Sequence, residues 1–193
     1  IYRIRSTETN RAEREQSQMA AMREPPQPQP APEEVATRAA GGRLAIERLA
    51  AENIARLSVR ATGFENDAAM PERVSAYAEN VSPALSWSGA PPGVQSYAII
   101  LEDPDADAPK PFTHWIAYNL PATMTMVPDG VTPQEQVKSP AVFMQGVNAR
   151  GSAGYYGPKP PPGDAPHRYV FQVFALDRPL ELPPGVDRET LLK

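Results

Sequence analysis

Proline is the residue that most restricts the folds open to this chain. The sequence has 24 prolines among 193 residues. Beyond the N-terminal quarter many of them stand in short clusters with glycine, at 90–93, 158–163 and 183–185, separated by apolar stretches. Proline interrupts helices and central strands alike, so this spacing leaves room mainly for short elements. Short strands separated by such turns predict an all-β sandwich rather than alternating strands and helices.

Four segments have the composition of strands. Residues 55–60 alternate apolar and polar side chains, which is typical of a half-buried strand. Residues 96–101 form a nearly continuous apolar run, and residues 113–120 are partly aromatic and β-branched. Residues 168–176 alternate most regularly. One predicted face of this last segment carries Tyr169, Phe171, Val173 and Ala175, and the other carries Val170, Phe174 and Leu176.

The composition changes near residue 53, which predicts an extension over residues 1–52 and a domain over residues 53–193. The extension contains eight arginines, eight glutamates and a single aromatic residue, so it can bury little apolar surface by itself. Its proline-rich segment 23–32 predicts an extended polyproline II spacer. We therefore predict a flexible tether; an arm that folds onto a partner, or onto its own domain, is the alternative.

The overall composition excludes several classes of function. The net charge of −4 and the lack of a basic stripe argue against nucleic acid as a partner. The absence of cysteine excludes disulfides, thiolate catalysis and cysteine-ligated zinc. No apolar run is long enough to predict a transmembrane segment. A signal or anchor would lie upstream of Ile1, and a domain behind a Pro/Ala/Glu spacer suits the cell envelope or periplasm, with the cytoplasm as the alternative.

The two histidines of the chain predict a binding site at a sheet rim. His114 and His167 each stand near the start of a predicted strand beside a loop rich in proline or glycine. The turn Asp103-Pro104-Asp105 follows the buried strand at 96–101 and presents two carboxylates. A carboxylate holds a histidine in one tautomer or keeps it protonated, and the free ring N–H can then bind an anion.

Three other interpretations of these residues compete with an anion site. A calcium loop starting at Asp103 fails, because its sixth and twelfth positions are Ala108 and His114 instead of Gly and Glu. A metal held by two histidines and an aspartate lacks the usual ligand spacing, and we predict neither a metal nor a cofactor. Either histidine alone could simply satisfy a buried hydrogen bond in the core; two of them, beside an acidic turn, favour the ligand site.

No residue has the sequence context of a catalytic nucleophile. The segment Ser86-Trp87-Ser88-Gly89 does not match the G-x-S-x-G motif and predicts a packed turn. No phosphate-binding or dinucleotide-binding fingerprint is present. Backbone N–H groups of the glycine-containing loop 151–158 could still bind an anion as a concave nest. We predict a non-enzymatic binding protein; a hydrolase that uses the two histidines as acid and base is the alternative.

Four blocks of sequence, in this order, resemble the phosphatidylethanolamine-binding protein family, known also through Raf kinase inhibitor protein, and in particular its short bacterial branch. The blocks are residues 80–87, the turn at 103–105 with His114-Trp115, residues 154–163, and His167-Arg168-Tyr169. The resemblance covers about residues 57–179. It implies a β-sandwich of two antiparallel sheets with a few short helices and a rim pocket that binds phosphate, phosphorylated headgroups or similar anions. It places in that pocket Asp103, Asp105, His114, Gly157, Pro160, His167 and Tyr169.

The chain departs from the family pattern in three places. Asp187 can cap a terminal helix, but only residues 188–193 follow where the family has a long helix. Ala84 stands in a block that usually repeats proline, and residues 1–52 have no counterpart. The predicted function is binding of a small anion or phospholipid headgroup. The alternative is a structural or accessory subunit with a vestigial pocket, docked to a protein partner through residues 1–52.

Overall fold

The computed structural model describes residues 2–5, 42–49 and 56–193. These residues form nine strands, two short α-helices and one 3-10 helix. The strands are β1 (Tyr2–Arg5), β2 (Ser58–Ala61), β3 (Leu85–Ser88), β4 (Ser96–Asp103), β5 (Phe112–Pro121), β6 (Met126–Val127), β7 (Gln136–Val137), β8 (Phe143–Gln145) and β9 (Arg168–Leu176). The helices are α1 (Ala45–Arg48) and α2 (Arg188–Leu191), and the 3-10 helix is Glu72–Val74.

The strands form two antiparallel sheets, as predicted. One sheet has six strands in the order β1-β9-β4-β5-β8-β7, and the other has three in the order β2-β3-β6. Strands β4, β5 and β9 cover the segments predicted at 96–101, 113–120 and 168–176, and β9 has the predicted bounds. The all-β architecture with few short helices is therefore confirmed.

The main core lies between the two sheets. Strand β9 contributes Tyr169 and Phe171 to it, on the face predicted from the alternation, and Val173 and Ala175 pack against the same cluster. Trp87 of β3 and Trp115 of β5 complete its aromatic centre. Burying one large apolar side chain contributes roughly 1.5–3 kcal/mol, so these residues supply much of the stability. Phe174 and Leu176 pack on the opposite side of the sheet, again as predicted.

The packed turn predicted for residues 86–89 is wrong. Residues Leu85–Ser88 form strand β3, and the chain turns only at Gly89, whose φ is 82°. Leu85 and Trp87 are buried while Ser86 and Ser88 are exposed, which is the alternation of a strand. The strand is four residues long and lies between two proline clusters, so its alternation of buried and exposed residues was too short to be recognised in the sequence.

Residues 42–49, which belong to the predicted extension, contact the six-stranded sheet. Leu44 and Ala45 are buried, and Ala45 packs in a small cluster with Ile100 of β4 and Leu192. The Ala45 N–H donates to Glu102 Oε2 at 2.8 Å, and the Ile46 N–H donates to Gln172 Oε1 at 2.8 Å. The proline-rich segment 23–32 lies outside the described residues.

The C-terminal helix begins where the sequence predicts. The Asp187 side chain accepts a hydrogen bond from the Thr190 N–H at 2.8 Å and so caps α2. Arg188, in the first turn, is buried and donates to the Glu102 carboxylate, and its Nη2 donates to the Arg43 carbonyl oxygen at 2.8 Å. Helix α2 therefore holds the 42–49 segment against the sheet.

Candidate functional site

The candidate site lies at one end of the three central strands of the six-stranded sheet, β9, β4 and β5. Strand β4 lies between β5 and β9 and is antiparallel to both. The end of β4 at Asp103 is therefore beside the start of β5, where Asp103 pairs with Phe112, and beside the start of β9, where Glu102 pairs with Val170. This topology brings together residues that are more than sixty positions apart in the sequence.

His167 and Asp103 form a buried hydrogen-bonded pair. The distance between His167 Nδ1 and Asp103 Oδ2 is 2.8 Å, and the two side chains are 9% and 5% exposed. A carboxylate only accepts, so Nδ1 carries the proton. The hydrogen bond with Asp103 raises the pKa of His167 despite the opposing effect of burial. The raised pKa favours the imidazolium form, in which Nε2–H is the remaining donor, as the sequence analysis anticipated for a carboxylate-paired histidine.

His114 is held in the opposite charge state. Its Nδ1 lies 2.6 Å from the carbonyl oxygen of Tyr156, which can only accept, so Nδ1 carries the proton here too. Burial lowers the pKa of His114 to about 4. The ring is neutral at pH 7, and its Nε2 is a hydrogen-bond acceptor. The expectation that carboxylates orient and charge both imidazoles therefore fails for His114, because its hydrogen-bond partner is a backbone carbonyl.

The ring of Tyr169 contacts both imidazoles. Its centroid lies 5.2 Å from that of His114 and 6.5 Å from that of His167. Tyr169 is completely buried, and its hydroxyl has no hydrogen-bond partner among the described residues. Burial raises the pKa of Tyr169, so the hydroxyl keeps its proton. A buried unpaired hydroxyl is rare and costs free energy, which makes this one a candidate partner for a ligand or a water molecule; Trp87 Nε1 is the other such side-chain atom among the described residues.

Asp105 binds Arg168 instead of a histidine. Its Oδ2 accepts from the backbone N–H of Arg168 at 2.7 Å and from Arg168 Nε at 2.8 Å. Burial alone would raise the pKa of Asp105, but the hydrogen bonds from Arg168 outweigh it and keep the pKa below its usual value. Asp105 thus ties the turn after β4 to the first residue of β9, and it reaches His167 only through its charge.

Gly157 and Pro160 belong to a loop that is held in place by hydrogen bonds with Asn80 and Tyr77. The Gly157 N–H donates to Asn80 Oδ1 at 2.7 Å, and the Pro160 carbonyl accepts from the Tyr77 hydroxyl at 2.7 Å. A Cβ on Gly157 would lie 2.2 Å from the Val74 carbonyl oxygen, so only glycine fits. The predicted anion nest is not available at Gly157, because its N–H already has a protein acceptor.

Three further residues at the site were not predicted. Tyr156 stacks on His114 at 5.9 Å, and Phe112 lies 4.8 Å from the same ring. Asp164 Oδ2 lies 3.5 Å from His167 Nε2. The spacing of three residues between Asp164 and His167 was a sequence signal for this contact. The contact between His114 and the Tyr156 carbonyl oxygen had no sequence signal, because every residue has a backbone carbonyl.

The described part of the chain was also searched for metal sites and membrane spans. It contains no group of three or more His, Asp or Glu side chains arranged to hold a metal ion. None of its helices is both long and apolar enough to cross a bilayer.

Comparison with known proteins gives one family. The family model described as phosphatidylethanolamine-binding protein matches residues 60–193. A UPF0098 protein of Methanothermobacter thermautotrophicus is 38% identical over 137 residues, which is 71% of this chain and 87% of the relative. The crystal structure of Escherichia coli YbcL, titled a new member of the mammalian PEBP family, matches with a TM-score of 0.62 and 32% identity, covering 72% of this chain and 90% of YbcL. A Mycobacterium tuberculosis protein named as a candidate lipoprotein, LppC, is 34% identical over 129 residues, which is 67% of this chain and 60% of LppC.

Proposed function

Because this chain belongs to the phosphatidylethanolamine-binding protein family, we propose that its domain binds a small phosphate-type oxyanion, without turnover, between His114, His167 and Tyr169. The observation that carries the proposal is the buried hydroxyl of Tyr169, which has no hydrogen-bond partner among the described residues, on a ring that lies beside both imidazole rings. The ligand is either free phosphate or the phosphorylated headgroup of a phospholipid: both present anionic phosphate oxygens, but the phosphodiester of an intact phospholipid has no P–OH group.

The hydrogen-bonding groups of the pocket suit an oxyanion that carries one proton. The imidazolium of His167 and the hydroxyl of Tyr169 are donors for anionic oxygens, and a charged donor makes the stronger bond. The neutral ring of His114 offers an acceptor, which suits a P–OH group. Sulfate has no such proton at neutral pH, so phosphate should bind more tightly than sulfate.

The charge states of the two histidines support binding over catalysis. A general base works best with a pKa near the operating pH, and burial places the pKa of His114 at about 4. The hydrogen bond with Asp103 raises the pKa of His167, which favours the protonated ring, and a protonated ring has no lone pair with which to act as a base. Nothing in this arrangement supplies a nucleophile.

Isothermal titration calorimetry with inorganic phosphate tests the proposal. Tyr169→Phe, which removes only the hydroxyl, and His167→Ala should each weaken binding about tenfold or more, because each removes one ligand hydrogen bond in a buried site. Tyr97→Phe is the matched control, since Tyr97 lies at the opposite end of β4 and should bind as the wild type does. Wild-type affinity in Tyr169→Phe, His167→Ala and His114→Ala would refute the pocket.

The source of the phosphate group is a separate arm of the same experiment. Phosphoethanolamine and vesicles of phosphatidylethanolamine are titrated alongside inorganic phosphate. Tighter binding of the headgroup and retention on vesicles would identify a lipid ligand, whereas equal affinity for phosphate alone would identify the free anion.

The accessory-subunit alternative depends on residues 1–52, of which only 2–5 and 42–49 are described. Both described parts contact the chain's own domain, since β1 pairs with β9 and residues 42–49 pack against the six-stranded sheet. For localisation we propose the cell envelope, which the lipoprotein name of the mycobacterial relative supports. Recovery of the full-length protein in the soluble cytoplasmic fraction would contradict it.

A further inference from the structure

His167 has a carboxylate next to each of its ring nitrogens. Asp103 Oδ2 lies 2.8 Å from Nδ1, and Asp164 Oδ2 lies 3.5 Å from Nε2. Asp103 is buried at the end of a central strand, whereas the Asp164 side chain is 42% exposed and lies on the loop before β9. The two carboxylates therefore have different roles toward the same imidazolium.

We propose that Asp164 is a built-in competitor for the anion: its carboxylate takes the Nε2 side of His167 in the empty pocket and leaves when a ligand binds. This role depends on the proposed function, because Nε2–H is the donor that the ligand would use. Asp103 cannot play this part, since it lies on Nδ1 and is fixed by the strand. A negative group already beside Nε2 occupies the place that an incoming oxyanion needs.

The loop that carries Asp164 is built to let it leave. Residues 161–166 are all exposed, and the ion pair with His167 is the one polar side-chain interaction of Asp164 among the described residues. Gly163, next to it, has a φ of 93° and open space around its Cβ position. The base of the loop is anchored by the Asn80–Gly157 hydrogen bond, so motion is confined to the tip. A rotation of the Asp164 side chain is enough to uncover Nε2.

A tethered competitor lowers the apparent affinity by the fraction of molecules in which the site is open. If the contact is present in roughly nine molecules in ten, removing it tightens binding about tenfold. Any repulsion between the Asp164 carboxylate and a bound anion at short range acts in the same direction. The competitor thus sets the ligand concentration at which the pocket fills, without touching the hydrogen bonds that the ligand makes.

Asp164→Asn and Asp164→Ala test the proposal by calorimetry with inorganic phosphate, at about pH 6 so that His167 stays protonated. Both variants should bind phosphate about tenfold more tightly than the wild type. Asp177→Asn is the control: it makes the same change in net charge just beyond the far end of β9, about 30 Å from His167, and its affinity should be unchanged. Circular dichroism checks that the exposed substitutions leave the fold intact.

A histidine titration by NMR measures the pKa of His167, which should not change if the role of Asp164 is purely structural. The charge of Asp164 is one cause of the raised pKa of His167, so Asp164→Asn should lower that pKa while the effect of Asp103 remains. Wild-type affinity in Asp164→Asn, together with weakened binding in His167→Ala, would overturn the competitor and leave the binding site standing. Binding by Asp164→Asn alone, with none by the wild type, would support the competitor strongly. If neither binds phosphate, the proposed function itself fails, and the competitor with it.

Discussion

The buried ion pair between Arg188 and Glu102 makes a sharp prediction about stability. Glu102 lies within β4, is completely buried, and accepts hydrogen bonds from Arg188 Nε, from Gln172 Nε2 at 2.7 Å and from the Ala45 N–H at 2.8 Å. Arg188 is itself only 5% exposed. Two charges taken out of water this completely are stable only together.

Arg188→Met keeps an apolar stem of similar length but removes the positive charge. The Glu102 carboxylate then stays in the interior with two neutral donors, and breaking a buried pair from one side costs about 3–5 kcal/mol. For a domain with a free energy of unfolding of about 5–15 kcal/mol, this is a large fraction. Arg178→Met is the matched control, since the Arg178–Asp177 pair is 76% and 80% exposed and its loss should not be measurable.

Urea unfolding measures the effect: Arg188→Met should lower the midpoint without changing the slope, and Arg178→Met should change neither. The double variant Glu102→Gln/Arg188→Met removes both charges and should recover most of the lost stability. The reasoning is refuted if Arg188→Met unfolds at the wild-type midpoint, or if the double variant is no more stable than the single one.

The same substitution should loosen residues 42–49. Arg188 holds the Arg43 carbonyl, and Glu102 holds the Ala45 N–H, so both attachments depend on the ion pair. Hydrogen exchange at the Ala45 and Ile46 amides should accelerate in Arg188→Met more than exchange in β5 does.

Three further predictions concern other parts of the domain. Deleting residues 1–49 removes strand β1, the buried Leu44 side chain and two backbone donors, so urea unfolding should show a loss of at least about 4 kcal/mol; an unchanged midpoint would mean that these residues add nothing. His114 accepts a proton at about 6.5 when unfolded and about 4 when folded, so stability should fall by up to about 3 kcal/mol as the pH drops through this window. His114→Gln should flatten that part of the curve, and equal slopes would contradict the buried neutral ring. Gly157→Ala should lower the thermal midpoint much more than Gly151→Ala, because only the former places a Cβ against backbone, 2.2 Å from the Val74 carbonyl oxygen.

The parts of the fold that were predictable are those whose sequence pattern is long enough to show a period. Strands β4, β5 and β9 have eight to ten residues each, and their apolar runs or alternation indicate strands directly. Strands β6, β7 and β8 have two or three residues, too few for any period, and they exist because a neighbouring strand pairs with them. Pairing of this kind is tertiary structure, and a local pattern cannot show it.

The site, too, was predictable only in part: the sequence shows which side-chain types are present, but it does not show which partner each of them contacts in the folded chain. Two histidines and an acidic turn beside glycine and proline loops predicted a cluster of side chains, and the structure brings Asp103, His114, His167 and Tyr169 together at one end of the central strands. Asp105, in contrast, matched the motif but is bonded to Arg168. Sequence position alone cannot tell a carboxylate that faces a pocket from one that closes a turn.

The two histidines also show why the charge of such a pocket cannot be counted from its residues. Both rings are buried, and burial alone lowers the pKa of each. The hydrogen bond with a carboxylate reverses this for His167, whereas the Tyr156 carbonyl, a neutral acceptor, does not reverse it for His114. Two imidazolium ions this close would also repel, and the charge of His167 lowers the pKa of His114. Two histidines in one pocket thus have pKa values shifted in opposite directions, and under the proposed function this asymmetry would favour a protonated oxyanion over a fully deprotonated one.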